Sequence, residues 1–178
     1  AIDVDGACGL EALDCRLMCH KHCGIGGHLL TSMGTRRLTM SITQLPPATY
    51  GKAHALGPDA YAIVVAGAGY SLAWPDNGER TRSPWSEGSV VAVPPGRWRQ
   101  HFNPESSPAR IVTLMADSAL QRRADGVPRT WIGRTFGGAC IDYADEDADV
   151  SASFAVALAE RGLESRMGDA YAREAKDG

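Results

Sequence analysis

The sequence predicts an all-β barrel or sandwich followed by a helical tail. Alternating apolar stretches recur as RLTMSITQL (37–45), YAIVVAGAGYSLAW (61–74), GSVVAVPP (88–95) and ARIVTLMA (109–116), punctuated by Pro, Gly, Asn and Asp. Short runs of this kind at regular spacing are the mark of sandwiches and barrels. Within them, PDNGER at 75–80 places Asn-Gly between two apolar runs, a strong hairpin signal. Beyond residue 118 the period changes, and Val150, Phe154, Ala157, Leu158 and Arg161 follow helical spacing. Three parts result: an N-terminal extension over 1–34, a barrel over 35–117, and a connector with a C-terminal helix packing on the barrel over 118–178.

The extension is rich in glycine and cysteine. If LEALDCRLMCHKHC is helical, Cys15, Cys19, His22 and Cys23 share one face. Those are zinc-ligand types, but one short helix does not wrap a tetrahedral ion, and the loop that separates ligand pairs in the usual signature is missing. A buried cysteine face closed by Gly24, a metal site, and a disulfide or redox role all stay open.

In the barrel segment the stretch GSVVAVPPGRWRQHFN (88–103) reads as strand, Pro-Gly turn and strand. Alternate strand residues share a side, so Arg97, Arg99, His101 and Asn103 form one polar row. Lys52, His54 and Leu56 form another. Met40, Ile42, Ile63, Val65, Leu72 and Trp74 are expected to fill the interior or pack the sheets together, and Trp85 and Trp98 to pack against the barrel exterior or a dimer partner.

In the tail, Asp147 or Asp149 is expected to cap the helix and Gly162 to close it. The acidic run Asp142, Asp145, Glu146, Asp147 and Asp149 suits a solvated helix N-terminus. The last ten residues read as frayed.

The chain has 178 residues, 44% hydrophobic and 22% charged, with a formal net charge of −3. That is ample for a stable core, and it favours neither nucleic acid nor an anionic membrane. No apolar run approaches the roughly 20 residues of a membrane span. The first 15 residues lack the basic and apolar regions of a signal peptide. Of five cysteines, four fall before residue 24, unlike a secreted disulfide framework. The expected compartment is the cytoplasm, with thiols reduced.

The barrel segment resembles the cupin superfamily. Gly88, Pro94, Gly96 and Asn103 fall where its second motif has them, with Arg99 at the histidine position. GKAHALGPDAYAIVVAGAG resembles the first motif: His54 matches its first histidine, Leu56 replaces the second, and Ala60 or Tyr61 takes the glutamate position. Together with IDYADEDADV before the helix, the wording is similar to bacterial single-domain cupins up to about residue 167. The resemblance implies a double-stranded β-helix, or jelly-roll-like barrel, often a homodimer, with an inner pocket. In metal-dependent members three histidines and a glutamate bind Fe, Mn, Ni or Zn. Only His54 survives of the four, and an arginine cannot coordinate a cation.

The pocket is therefore expected to work without a cofactor. Arg99 would hold a carboxylate, enolate or polarised carbonyl, and His54 or His101 would move a proton. Tyr50, Tyr61, Gln44, Lys52 and Asn103 are expected to contact the substrate. The function read from this set is isomerisation, elimination or cyclisation of a small carbonyl- or carboxylate-bearing molecule. One alternative is a non-catalytic small-molecule binder. Another is a metal-dependent dioxygenase or decarboxylase in which His54 and His101, aided by Gln44, Tyr61 or His28, hold a displaced ion. Each residue also has a structural alternative, among them Arg99 at the rim paired with Glu105 or Asp59.

Overall fold

A computed structural model describes residues 2–4, 24–33, 38–55, 57, 60–92, 94–116, 118 and 121–177. Among these described residues are twelve strands: β1 (Ile2–Val4), β2 (Gly27–Met33), β3 (Leu38–Leu45), β4 (Thr49–Tyr50), β5 (Ala53–Ala55), β6 (Ala60–Ala66), β7 (Ala68–Trp74), β8 (Thr81–Ser86), β9 (Val90–Ala92), β10 (Trp98–Asn103), β11 (Ala109–Ala116) and β12 (Cys140–Ile141). Helices α1 (Ala148–Ala159) and α2 (Gly168–Asp177) follow. One sheet has the order β1-β2-β3-β11-β6-β9 and the other β12-β5-β10-β7-β8, with β4 on β10. Apart from the parallel β1–β2 pair, the ladders are antiparallel. The all-β, two-sheet class expected from the sequence is thus the class observed.

The turns fall where the sequence placed them. Residues 75–80 join β7 to β8 in register Ala73↔Thr81. In the Pro-Pro-Gly turn before β10, Gly96 has φ +73, a left-handed conformation that costs glycine little. Gly67, between β6 and β7, has φ +84, and a Cβ there would lie 2.8 Å from Ala109 Cα. Backbone therefore meets backbone where the chain crosses between the sheets.

Strand parity divides the side chains into two sets. Leu45, Ala62, Val64, Trp85, Ala109 and Ile111 cluster between the sheets. Leu29, Met40, Ile42, Val65, Val112 and Leu114 form a separate cluster on the other face of the first sheet. Behind the second sheet, Tyr50, Tyr70 and Phe102 pack against Val150, Phe154, Ala157 and Leu158 of α1 and against Met167. Trp74 and Trp98 pack with Ala53 and Ile141, again behind that sheet.

These placements correct several expectations. Met40, Ile42, Val65, Leu72 and Trp74 lie on the faces turned away from the interior, and Ile63 shares that parity opposite Val112. Trp85 is inside, not outside. The reason is physical: period 2 separates two faces, but when both are covered each is apolar and the pattern does not say which is inward. Residues 27–33, assigned above to the extension, pair with β3 along their whole length, so the sheet starts before residue 35. The C-terminal stretch expected to fray instead forms α2 as far as Asp177, with Ala170 buried.

Helix α1 forms where predicted, and Gly162, at φ +67, follows it. Asp147 occupies the N-cap position without a side-chain cap bond. Its carboxylate and that of Asp149 pair with Arg80 instead. Among the described residues no helix is long and apolar enough to cross a membrane. The Cys15, Cys19, His22 and Cys23 cluster lies outside the described residues, as do Leu56 and Asp59.

Candidate functional site

The two inner faces are apolar at one end of the barrel and polar at the other. At the polar end they enclose a cavity of about 90 Å³. Ser41 and Thr43 of β3 and Thr113 of β11 supply hydroxyls from the first sheet, and His54, Arg99 and His101 face them from the second. Thr130 and Trp131, on a short 3₁₀ turn, Arg129–Trp131, complete the lining. A cavity needs about 10–15 Å³ on this measure to hold one water, so the space suits a molecule of few heavy atoms.

Register brings the polar wall together. Arg99 lies opposite His54 across the β10–β5 ladder, and His101 lies opposite Ser71 across β10–β7. Ser71 Oγ is 2.7 Å from His101 Nδ1, and Trp85 Nε1 donates to the same oxygen at 2.9 Å. His28 Nδ1 sits 3.1 Å from Thr43 Oγ1.

Arg99 dominates the electrostatics. Its residue is 8% exposed, and among the described residues no carboxylate lies within ion-pairing distance of its guanidinium. Glu105, one partner considered above, binds Arg161 instead at 3.0 Å. Burial alone pulls Arg99 down to about 10, so it stays a cation at neutral pH. His54 is pushed down to about 3 by burial first and next by the Arg99 charge, with smaller contributions from His28, Lys52 and His101. His101 is lowered to about 3 by burial and then by Arg99. Both rings are therefore neutral at pH 7. His54 Nδ1 is buried without a hydrogen-bond partner among the described residues.

Of the residues expected at the site, the structure brings His54, Arg99, His101 and Lys52 to the cavity. Lys52 lines the cavity, but its ammonium is held by Asp142 at 2.7 Å and by Glu174. Burial lowers its pKa, but the bonds to those two carboxylates outweigh it and leave the group raised.

The other four expected contacts lie elsewhere. Tyr50 is fully buried behind the second sheet, where its hydroxyl donates to Glu146 and meets Tyr171. Tyr61 is 51% exposed on the outer face of β6. Gln44 has the outward parity of β3 and accepts from Arg110. Asn103 is fully buried but closes a turn: its amide donates to the carbonyls of Leu45, Pro46 and Ser107, and its oxygen accepts from Glu105 N–H. Tyr50, Gln44 and Asn103 are thus spent on holding the fold, and Tyr61 faces away from the cavity.

Sequence reasoning missed Ser71, Trp85, Thr113 and Thr130. Only Ser41 and Thr43 carried a signal, as alternate polar residues in a strand.

The metal that the cupin resemblance implies does not fit these residues. Among the described residues no three His, Cys, Asp or Glu side chains are grouped to hold an ion. His101 Nδ1 is engaged by Ser71, Gln44 and Tyr61 are on outer faces, and a fixed cation, Arg99, lies opposite His54 and two residues from His101 on the same strand. A divalent ion needs several neutral or anionic donors.

No protein-family model matches the chain. No curated protein matches it. Among solved structures it is similar to the vicilin of Solanum melongena, at 16% identity and TM-score 0.48 over 53% of this chain and 28% of that one. Oxalate decarboxylase of Bacillus subtilis matches at 12% identity and TM-score 0.42, over 44% of this chain and 21% of its own. The plu4264 protein of Photorhabdus luminescens matches at 17% identity and TM-score 0.38, over 44% of this chain and 61% of its own. The chain thus spans less than two thirds of each of these three. All have TM-scores below 0.5, so the fold rests on the sheets described above.

Proposed function

We propose that the chain is a metal-independent cupin-type enzyme. It binds a small carboxylate- or carbonyl-bearing molecule in the barrel cavity and moves a proton on it, in an isomerisation, elimination or cyclisation. The observation that carries this reading is Arg99, a buried cation facing the cavity with no carboxylate partner among the described residues. A charge kept in low dielectric without compensation costs several kcal/mol, and such groups concentrate at functional sites.

The guanidinium offers paired N–H donors that match a carboxylate or an enolate. An anion seated there cancels the second cause of the low His54 pKa, so substrate binding itself raises the proton affinity of His54. The proton then passes from the carbon beside the carbonyl to His54. As the C–H bond breaks and N–H forms, the electron pair moves onto the carbonyl oxygen, where Arg99 stabilises it.

The test is hydrogen–deuterium exchange at the α-carbon of short 2-oxo, 2-hydroxy and unsaturated carboxylates in D₂O, followed by NMR. At least one acid should exchange, and His54→Ala should slow it by about 10²–10⁴-fold. An acid panel that never exchanges, or exchange that survives both His54→Ala and Arg99→Ala, would overturn the assignment. The low basicity of both histidines in the ligand-free cavity favours a second reading, a non-catalytic binder. In that case an acid raises the melting temperature without exchanging.

A further inference from the structure

Trp85 on β8, Ser71 on β7 and His101 on β10 form a hydrogen-bonded line ending at the cavity. An indole N–H only donates, a hydroxyl has one proton and two lone pairs, and a neutral imidazole carries one N–H and one lone pair. Trp85 Nε1 therefore fixes the first link by occupying a lone pair of Ser71 Oγ. The hydroxyl proton of Ser71 then has one acceptor in reach among the described residues, His101 Nδ1 at 2.7 Å.

The opposite arrangement, with His101 Nδ1–H donating to Ser71, strands the hydroxyl proton. Ser71 is 2% exposed, so that proton would bear its full desolvation cost unpaired. His101 Nε2 has no bond to protein among the described residues, yet it is not sealed off from the cavity that the ring lines.

We propose that Trp85 and Ser71 are positioning residues that hold His101 as its Nε2–H tautomer, so that His101 gives the cavity a hydrogen-bond donor and not a base. Resting on the function proposed above, this sharpens the substrate class. Arg99 and His101 both present donors, so the wall accepts carboxylate or enolate oxygen and disfavours ammonium groups. It also leaves His54 as the proton acceptor of the pair.

Histidine tautomers are read directly from two-bond ¹H–¹⁵N correlations of ¹⁵N-labelled protein at pH 7. The wild-type His101 ring should show the Nε2–H pattern. Ser71→Ala should convert it to a mixture or to Nδ1–H, while the dispersed backbone amide spectrum is kept. Trp85→Phe, which retains the hydroxyl but removes the donor that orders it, should relax the ring in the same direction. An Nδ1–H or imidazolium pattern in the wild type overturns the proposal, and so does a tautomer that ignores Ser71→Ala. The spectrum reads no turnover, so the enzymatic reading can fail in the exchange assay while this assignment stands, and the reverse.

Discussion

Two cations line the same cavity at nearly the same burial, Lys52 at 7% and Arg99 at 8% exposure, and their surroundings are opposite. Lys52 is claimed by Asp142 and Glu174, the second of these on α2. Arg99 has no carboxylate among the described residues, and burial alone moves it. One charge is therefore spent on tying the C-terminal segment to the barrel. The other carries its burial without a carboxylate among the described residues, at a cost to stability, as the anion site proposed above requires. Burial does not distinguish a structural cation from a functional one; the inventory of partners does.

The two neutral histidines beside Arg99 give the largest expected effect. Their folded values of about 3 lie below the ordinary 6.5, so between these pH values the unfolded chain binds more protons than the native one. The contribution is complete above about pH 6.5 and falls as pH drops toward 3, by on the order of 1 kcal/mol per pH unit for each ring. Urea titrations from pH 7 to 4 should show a steep loss, and His101→Gln should flatten it. An unchanged pH slope in that variant would show that the ring titrates normally.

Next comes the clamp. Lys52→Met leaves two carboxylates without their cation. Breaking a buried pair costs about 3–5 kcal/mol; Asp142 and Glu174 keep 30% and 20% side-chain exposure, so a loss of about 2–3 kcal/mol is expected. Denaturant unfolding checks it, and α2 amides should lose hydrogen-exchange protection before the barrel does.

The matching substitution at the other cation should have the opposite sign. Arg99→Met removes an unpaired charge in favour of an apolar side chain and should stabilise the ligand-free protein by about 1–3 kcal/mol. If both substitutions destabilise alike, the contrast between the two cations is wrong.

How much of this was legible in the sequence follows from what parity can and cannot report. The Pro-Pro-Gly turn and the alternation after it put Arg99 and His101 on one side, and His54 joined them through a motif at a separate place in the chain. Parity also grouped Asn103 with them, yet at the strand end the next turn consumes its amide. Tyr50 and Gln44 failed for a related reason: α1 and the second layer of packing cover outer faces, so polar strand residues are needed there too. The partners of Lys52 lie 90 and 122 positions away, and nothing local announces them. Ser71 and Trp85 sit in ordinary strand sequence, and only the three-dimensional register reveals their line to His101. Helix α2 was missed because GDAYAREAKD shows few apolar positions, and its order comes from contacts such as Ala170 and Glu174.

The anion site proposed at Arg99 is most directly tested by melting wild type and Arg99→Met side by side in rising acetate, with chloride at matched ionic strength as the control. A ligand that binds the native state raises its apparent stability by mass action. The wild-type melting temperature should climb with acetate but not with chloride, while Arg99→Met should start higher and stay level. A wild type indifferent to acetate, together with a variant that melts several degrees lower, would make Arg99 an ordinary structural residue.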